Sequence, residues 1–136
     1  MSGKVPAQQN VEDVLAAYEK ALNGSDIDAV LAAFGPEAVF MAPNNPSAVG
    51  LEQLRAAYTG IFQTIAFETE LQVQEFVQVA PDWAFVRTDS AGFVTIRATD
   101  QRVPDSNHEL FIFHKDDADT WKIARYAFST TNPLPQ

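Results

Sequence analysis

The sequence predicts an α+β domain, with three helices laid on one face of a mainly antiparallel sheet. Three observations carry this expectation. Helical periodicity is confined to the first half of the chain, and the second half alternates at strand period. The chain then closes in two apolar-rich runs, Glu109–His114 and Thr120–Phe128, on either side of the acidic turn Lys115-Asp116-Asp117-Ala118-Asp119, which reads as an antiparallel hairpin. In the last run both alternating sets are largely apolar: Ala124, Tyr126 and Phe128 on one side, Trp121, Ile123 and Ala127 on the other. Such a strand is expected to be covered on both faces, one by the chain's own helices and the other by a partner subunit.

Taken in order, residues 1–9 are a polar lead-in, expected to be mobile. Val11, Val14, Leu15, Tyr18, Ala21 and Leu22 then recur at helical spacing, with Asn10 as N-cap, Glu12 and Asp13 in the first turn, and Asn23-Gly24 as the stop. Ser25-Asp26 caps a short second helix with Ile27, Val30, Leu31 and Phe34 on its apolar face, ended by Gly35-Pro36. Ala38–Ala42 reads as a strand, Pro43–Ser47 as a turn, and Leu51–Ile65 as a third helix. Beyond it Leu71, Val73, Val77 and Val79 alternate with glutamines, and Pro81-Asp82 turns the chain. A β-rich run from Trp83 to Thr99 follows, with a bulge or bend expected at Gly92. Arg102–Asn107, containing Pro104, reads as a loop before the closing hairpin.

The bulk properties exclude several classes of function. At 136 residues the chain forms one domain, residues 10–132, with a short tail at 133–136. A net charge of −9 with nine basic residues leaves little from which to build a nucleic-acid or anionic-membrane face. No cysteine is present, so thiol chemistry and disulfides are out. Neither a secretory signal nor an apolar run of spanning length is found, which makes the cytoplasm the expected location. Glycine-rich phosphate loops, nucleophile elbows and helical histidine pairs are absent.

The strings Val14–Pro43 (VLAAYEKALNGSDIDAVLAAFGPEAVFMAP), Gly50–Phe62 (GLEQLRAAYTGIF) and Trp121–Ser129 (WKIARYAFS) resemble the nuclear-transport-factor-2-like superfamily, and within it the SnoaL-like and ketosteroid-isomerase-like branch. The resemblance covers roughly residues 10–132. It implies a cone-shaped α+β barrel: three N-terminal helices on a strongly curved, mixed but mainly antiparallel sheet, enclosing an apolar cavity. It also implies dimerisation through the outer, convex sheet face. It does not by itself fix an activity, because this fold hosts isomerases, cyclases, hydrolases, dehydratases and assembly domains.

Steroid isomerases of this branch use a carboxylate to shuttle a proton, and a tyrosine with a protonated aspartic acid to hold the dienolate oxygen. The resemblance places Tyr18 at the tyrosine and Tyr58 at a second one on the third helix. It places Ala42 where the base belongs and Phe111 where the protonated acid belongs. Neither side chain does that chemistry, so steroid isomerase activity by that route is rejected. An epoxide-hydrolase-like Asp–Arg–Asp set would have to come from Arg87, Asp89 and Glu109, whose facing periodicity does not settle. A scytalone-dehydratase-like site would need histidines, but His108 and His114 fall on the outer-face parity.

The candidate ligand-binding residues are therefore Tyr18, Asn44, Tyr58, Arg87, Glu109, Phe111, Tyr126 and Phe128, with no catalytic residue, metal or cofactor assigned. Each has a plainer alternative. Tyr18 and Tyr58 are core rings whose hydroxyls meet backbone or water, or they line a cavity; both readings require burial. Glu109 is a rim carboxylate bridged to Arg87 or Arg97, or a cavity carboxyl of raised pKa. Arg87 with Asp89 lines the cavity or forms a solvated cross-strand pair, and Asn44 is a turn residue or a contact at the cavity mouth. The expected function is binding of a small apolar molecule in a conical cavity; whether it turns that molecule over is left open, and if it is catalytic the reaction class is isomerase-, hydratase- or cyclase-type proton transfer. The rival is a non-catalytic association module that dimerises through the outer sheet face.

Overall fold

The computed structural model describes residues 5–134. Three helices, α1 (Pro6–Asn23), α2 (Ile27–Ala32) and α3 (Gly50–Thr64), pack on one mixed sheet. Its strands are β1 (Phe34–Met41), β2 (Ala48–Val49), β3 (Ile65–Ala80), β4 (Trp83–Ile96), β5 (Gln101–Lys115) and β6 (Trp121–Thr130). Strand order is β2-β1-β6-β5-β4-β3, antiparallel throughout except for the parallel β1–β6 pair. The sheet is not closed: β2 and β3 are its two edges, so the expected barrel is an open sheet bearing helices.

Local chemistry explains where elements start later or earlier than the periodicity suggested. α1 begins at Pro6, not after Asn10, because proline at the first helical position forfeits no hydrogen bond. Gln8 and Gln9 then donate to Glu12 and Asp13, each at 2.9 Å, and knit the polar first turns. Residues 6–9 of the expected mobile lead-in are thus helical, while residues 1–4, and 135–136 of the tail, lie outside the described range. Asp26 caps α2 as expected, accepting from the Ala29 amide at 3.1 Å. Phe34 and Gly35-Pro36 belong to β1 rather than to the end of α2. The proline is accommodated because the β1–β6 register is irregular between Phe34 and Val39.

Two further expectations are corrected. Arg102–Asn107 is not a loop but the first half of β5, with Pro104 opposite Phe93. Gly92 is not a register bulge, since it pairs in step with Thr69 and Asp105. It marks a close backbone approach instead: at φ +156°, a Cβ there would lie 1.9 Å from the Glu68 carbonyl oxygen. The register breaks fall elsewhere, at Val73/Glu75 and Gln78/Ala80 in β3 and at Ile112/Phe113 between β5 and β6.

The last break overturns the reading of the closing strand. Ile112 pairs with Arg125 and Phe113 with Ile123, so Ala124 is an extra residue that switches the side-chain parity. Trp121, Ile123 and Tyr126 consequently all enter the one core beneath the helices, and Phe128 packs against it. The large residues of both apolar sets thus share a face. Trp121 is buried within the protomer and is not an outer-face residue. What the outer face carries on β6 is Lys122, Arg125 and Ala127.

The free edge of β3 is partly closed by α1. The Asn23 side chain both donates to the Thr69 carbonyl and accepts from its amide, each at 2.9 Å, and Glu19 accepts from the Leu71 amide at 2.7 Å. These side chains imitate a neighbouring strand and fix the helix over the sheet. Gly92→Ala is expected to lower stability by about 3 kcal/mol or more through the forced separation of β3 and β4. Urea denaturation reads this directly, and an unchanged midpoint would refute the close-approach account.

Candidate functional site

Under the helices the core is built from aromatic rings. Tyr58, Phe40, Tyr126 and Phe111 form a stacked column with successive centroids 4.9, 5.4 and 4.2 Å apart. The strand register places three of them side by side, because Phe40 pairs with Tyr126 and Tyr126 with Phe111. Tyr18, from α1, stands edge-on to Phe34, Tyr58, Phe111 and Tyr126.

Burying three phenols obliges their hydroxyls to find partners. Tyr18 and Tyr58 meet at 2.7 Å, and Tyr126 packs edge-on against Tyr18. Burial drives all three pKa values up from the ordinary phenol value, reinforced at Tyr58 and Tyr126 by their phenol neighbours. They are neutral hydroxyls at physiological pH. The one link uses one of the three protons, so the triad keeps a proton to donate to an acceptor outside it.

Glu109 faces the same interior and is only 4% exposed. It makes no bridge to Arg87 or Arg97. Thr88 Oγ1 and Ser90 Oγ, both buried on β4, donate to its two carboxyl oxygens at 2.5 Å each. Thr88 stands directly opposite Glu109 in the β4–β5 ladder, and Ser90 follows two residues on along the same face. Burial raises the Glu109 pKa, the Ser90 and Thr88 hydroxyls oppose that rise, and Asp89 adds to it. Arg97 is engaged elsewhere, donating to the Phe62 carbonyl at 2.6 Å and to Ser25 Oγ at 3.0 Å.

Two spaces adjoin these groups. An inner cavity of about 50 Å³ is lined by Tyr18, Tyr58, Tyr126, Phe128, Ser90 and Glu109, with Asp105 and Asn107 at its wall. A larger groove of about 450 Å³ runs between α3 and the β1–β2 segment, lined by Ala42, Asn45, Pro46, Ala48, Ala57, Gly60 and Ile65. Phe40 and Ile61 are walls of both. The interior is thus far more filled than an open cone, because the ring column occupies most of it.

Of the expected site residues, Tyr18, Tyr58, Glu109, Tyr126 and Phe128 come together around the inner cavity. Phe111 is fully buried beneath Tyr126 and belongs to the ring column. Asn44 is an exposed turn residue with φ +63°, while its neighbours Asn45 and Pro46 line the groove. Arg87 lies on the outer face, exposed and ion-paired with Glu75 at 3.1 Å. His108 is exposed, and His114 lies near Asp82 at 3.4 Å, both away from the cavity. Thr88, Ser90, Asp105 and Asn107 went unrecognised: the first two require the β4–β5 register, and the last two had been read as loop.

Two predictions follow from this geometry. Tyr18→Phe and Tyr58→Phe should each cost about 1–2 kcal/mol in chemical denaturation, and the double variant should cost less than their sum because one substitution already breaks the shared bond. Strict additivity would refute the buried hydroxyl pair. The raised Glu109 pKa means that the unfolded chain ionises first. Stability should therefore fall as pH rises from the ordinary glutamate value of 4.5 toward the raised one, and be flat with respect to this group below that. Glu109→Gln should gain on the wild type over this window in thermal unfolding; a constant difference from acid to neutral pH would contradict the buried carboxyl.

The comparisons with known proteins agree with this architecture. The SnoaL-like domain family matches residues 14–126. A ketosteroid isomerase-like protein from Erwinia carotovora atroseptica is 35% identical and superposes with a TM-score of 0.91 over 96% of this chain and 100% of its own. A nuclear transport factor 2-like superfamily protein from Salmonella enterica is 16% identical, with a TM-score of 0.81 over 94% of this chain and 93% of its own. A hexachlorocyclohexane dehydrochlorinase is 11% identical, with a TM-score of 0.80 over 95% and 89%; at such identities the last two share the fold alone. No curated protein matches. With the family spanning most of the chain, and a 35% identical relative over its full length, this protein belongs to the SnoaL-like family of the nuclear-transport-factor-2-like superfamily, in its ketosteroid-isomerase-like branch.

Proposed function

We propose that the protein binds a small apolar molecule, its body in the groove beside α3 and its tip in the inner cavity. The observation that carries this reading is an uncharged groove adjacent, across Phe40 and Ile61, to a small chamber holding a buried carboxyl and three tyrosine hydroxyls. Gly60 supports it. This glycine sits inside α3, where it costs the helix about 1 kcal/mol relative to alanine. Among the described residues, nothing beyond its chain neighbours and the helix's own backbone lies within 4 Å of where its Cβ would be, so packing against other elements does not require it. Its place in the groove wall gives a reason for the missing side chain.

The same groups suit proton transfer. Glu109, its pKa raised by burial, is a carboxyl suited to giving and taking a proton, and a spare phenol proton supports a developing negative oxygen. Isomerisation, hydration or cyclisation of the bound molecule is the corresponding reaction class, run without carboxyls at positions 42 and 111. Nile red, an uncharged apolar dye, is expected to bind and brighten. Gly60→Leu should weaken that binding about tenfold or more without loss of stability. An unaltered affinity in this variant would move the site away from the groove.

A second reading, association through the outer sheet face, draws on the row Val77, Phe85 and Ile112 and on Leu110, which lies beside Ala127 and is 44% exposed. These residues replace Trp121 as the proposed contact for a second copy. Leu110→Asp should convert a dimer to monomers in sedimentation while leaving Nile red binding intact. A dimer that survives this change excludes the outer face as its interface.

A further inference from the structure

We propose that the site selects its ligand by charge: it accepts an uncharged molecule whose tip carries a hydrogen-bond-accepting oxygen and excludes the anionic isostere, with Glu109 as the discriminating residue. This rests on the binding reading above and specifies the chemistry of its ligand.

The wall of the inner cavity includes two acids, Asp105 and Glu109, and among the described residues neither it nor the groove is lined by Lys, Arg or His. The nearby cations are committed elsewhere: Arg97 to the Phe62 carbonyl and Ser25, Arg102 to Glu68, and Arg87 to Glu75 on the opposite face. Both acids are held in place, Glu109 by Thr88 and Ser90 and Asp105 by the Asn107 side-chain amide at 3.0 Å. A carboxylate or phosphate entering here would lose its water, gain no counter-charge and face a fixed carboxyl of like sign. The net charge of −9 acts in the same direction at longer range.

The tyrosines set the polarity of the tip. Tyr18 and Tyr58 share one hydrogen bond, and a hydroxyl proton left over among Tyr18, Tyr58 and Tyr126 requires an acceptor. A carbonyl or ether oxygen satisfies it without charge. The cavity of about 50 Å³ sets the size of the tip: it admits little more than one water-sized group, roughly a carbonyl with a methyl substituent. The apolar remainder of the molecule then lies in the groove.

The decisive experiment displaces Nile red from the wild-type protein with 2-acetylnaphthalene and with 2-naphthoate, at mildly alkaline pH. The two probes have nearly the same shape and differ in the charge of the tip. The ketone is expected to compete about tenfold or more tightly than the carboxylate. Glu109→Gln should narrow that gap to about threefold, through a gain for the carboxylate rather than a loss for the ketone. Asp105→Asn, at the cavity wall, should narrow it less, and supplies the same test should the glutamine variant fail to fold. Equal displacement by both probes, displacement by neither, or a gap unchanged in both variants overturns charge selection while leaving the pocket in place. Failure of Nile red itself to bind removes the pocket, and with it this proposal.

Discussion

The contact on which the interior depends is the hydrogen bond between the Tyr18 and Tyr58 hydroxyls, two helices brought together 40 residues apart in sequence. Each ring is wanted in the core for its area, and each hydroxyl is costly there without a partner. The structure resolves that conflict by converging the hydroxyls. Once α1 and α3 are fixed to each other in this way, the ring column from Tyr58 to Phe111 has a defined top. The sheet must then deliver Phe40, Tyr126 and Phe111 in adjacent registers. The parallel β1–β6 pair and the antiparallel β6–β5 pair do so.

This constraint explains how much of the molecule could be read from its sequence. The helices and the core face of each were legible, because Val11, Leu15, Tyr18 and Leu22, or Leu54, Tyr58 and Phe62, state their own period. The order of elements was legible for the same reason. Strand facing was not, wherever the register slips. Ala124 adds one residue to β6, so Trp121 and Tyr126, at odd and even positions, point to the same core. Nothing in the local composition marks that slip, since alanine fits either face. A doubly apolar strand and a bulged strand with one apolar face read alike in one dimension.

The site divides along the same line. Tyrosines on helix faces and Phe128 on the last strand could be placed in the interior from pattern alone. The facing of Glu109 is not settled by periodicity, and its partners are not legible at all. Thr88 and Ser90 lie about twenty residues away on another strand, and only the pairing of Thr88 with Glu109 shows that two hydroxyls replace an arginine. The difference is physical. An arginine would hold the carboxyl firmly ionised, whereas hydroxyls hold its position while burial keeps its proton affinity high.

The relocation of that carboxyl is what separates this chain from the steroid isomerases that its sequence resembles. Position 111, where the resemblance expects an acid, is a buried phenylalanine at the end of the ring column, and position 42 is an alanine in the groove wall. Glu109 lies two residues back on the same face of β5, a displacement of about 7 Å along the strand. In the proposed site the recognised atom of a ligand would shift with it, toward Ser90, Thr69 and Leu71 at the β3–β4 side of the cavity. The aromatic column fills the space left behind. A rigid polycyclic ligand reaching both the tyrosine triad and an acid at position 111 has no room here. A short polar tip on a body lying in the groove does, and the chamber of about 50 Å³ is matched to that shape.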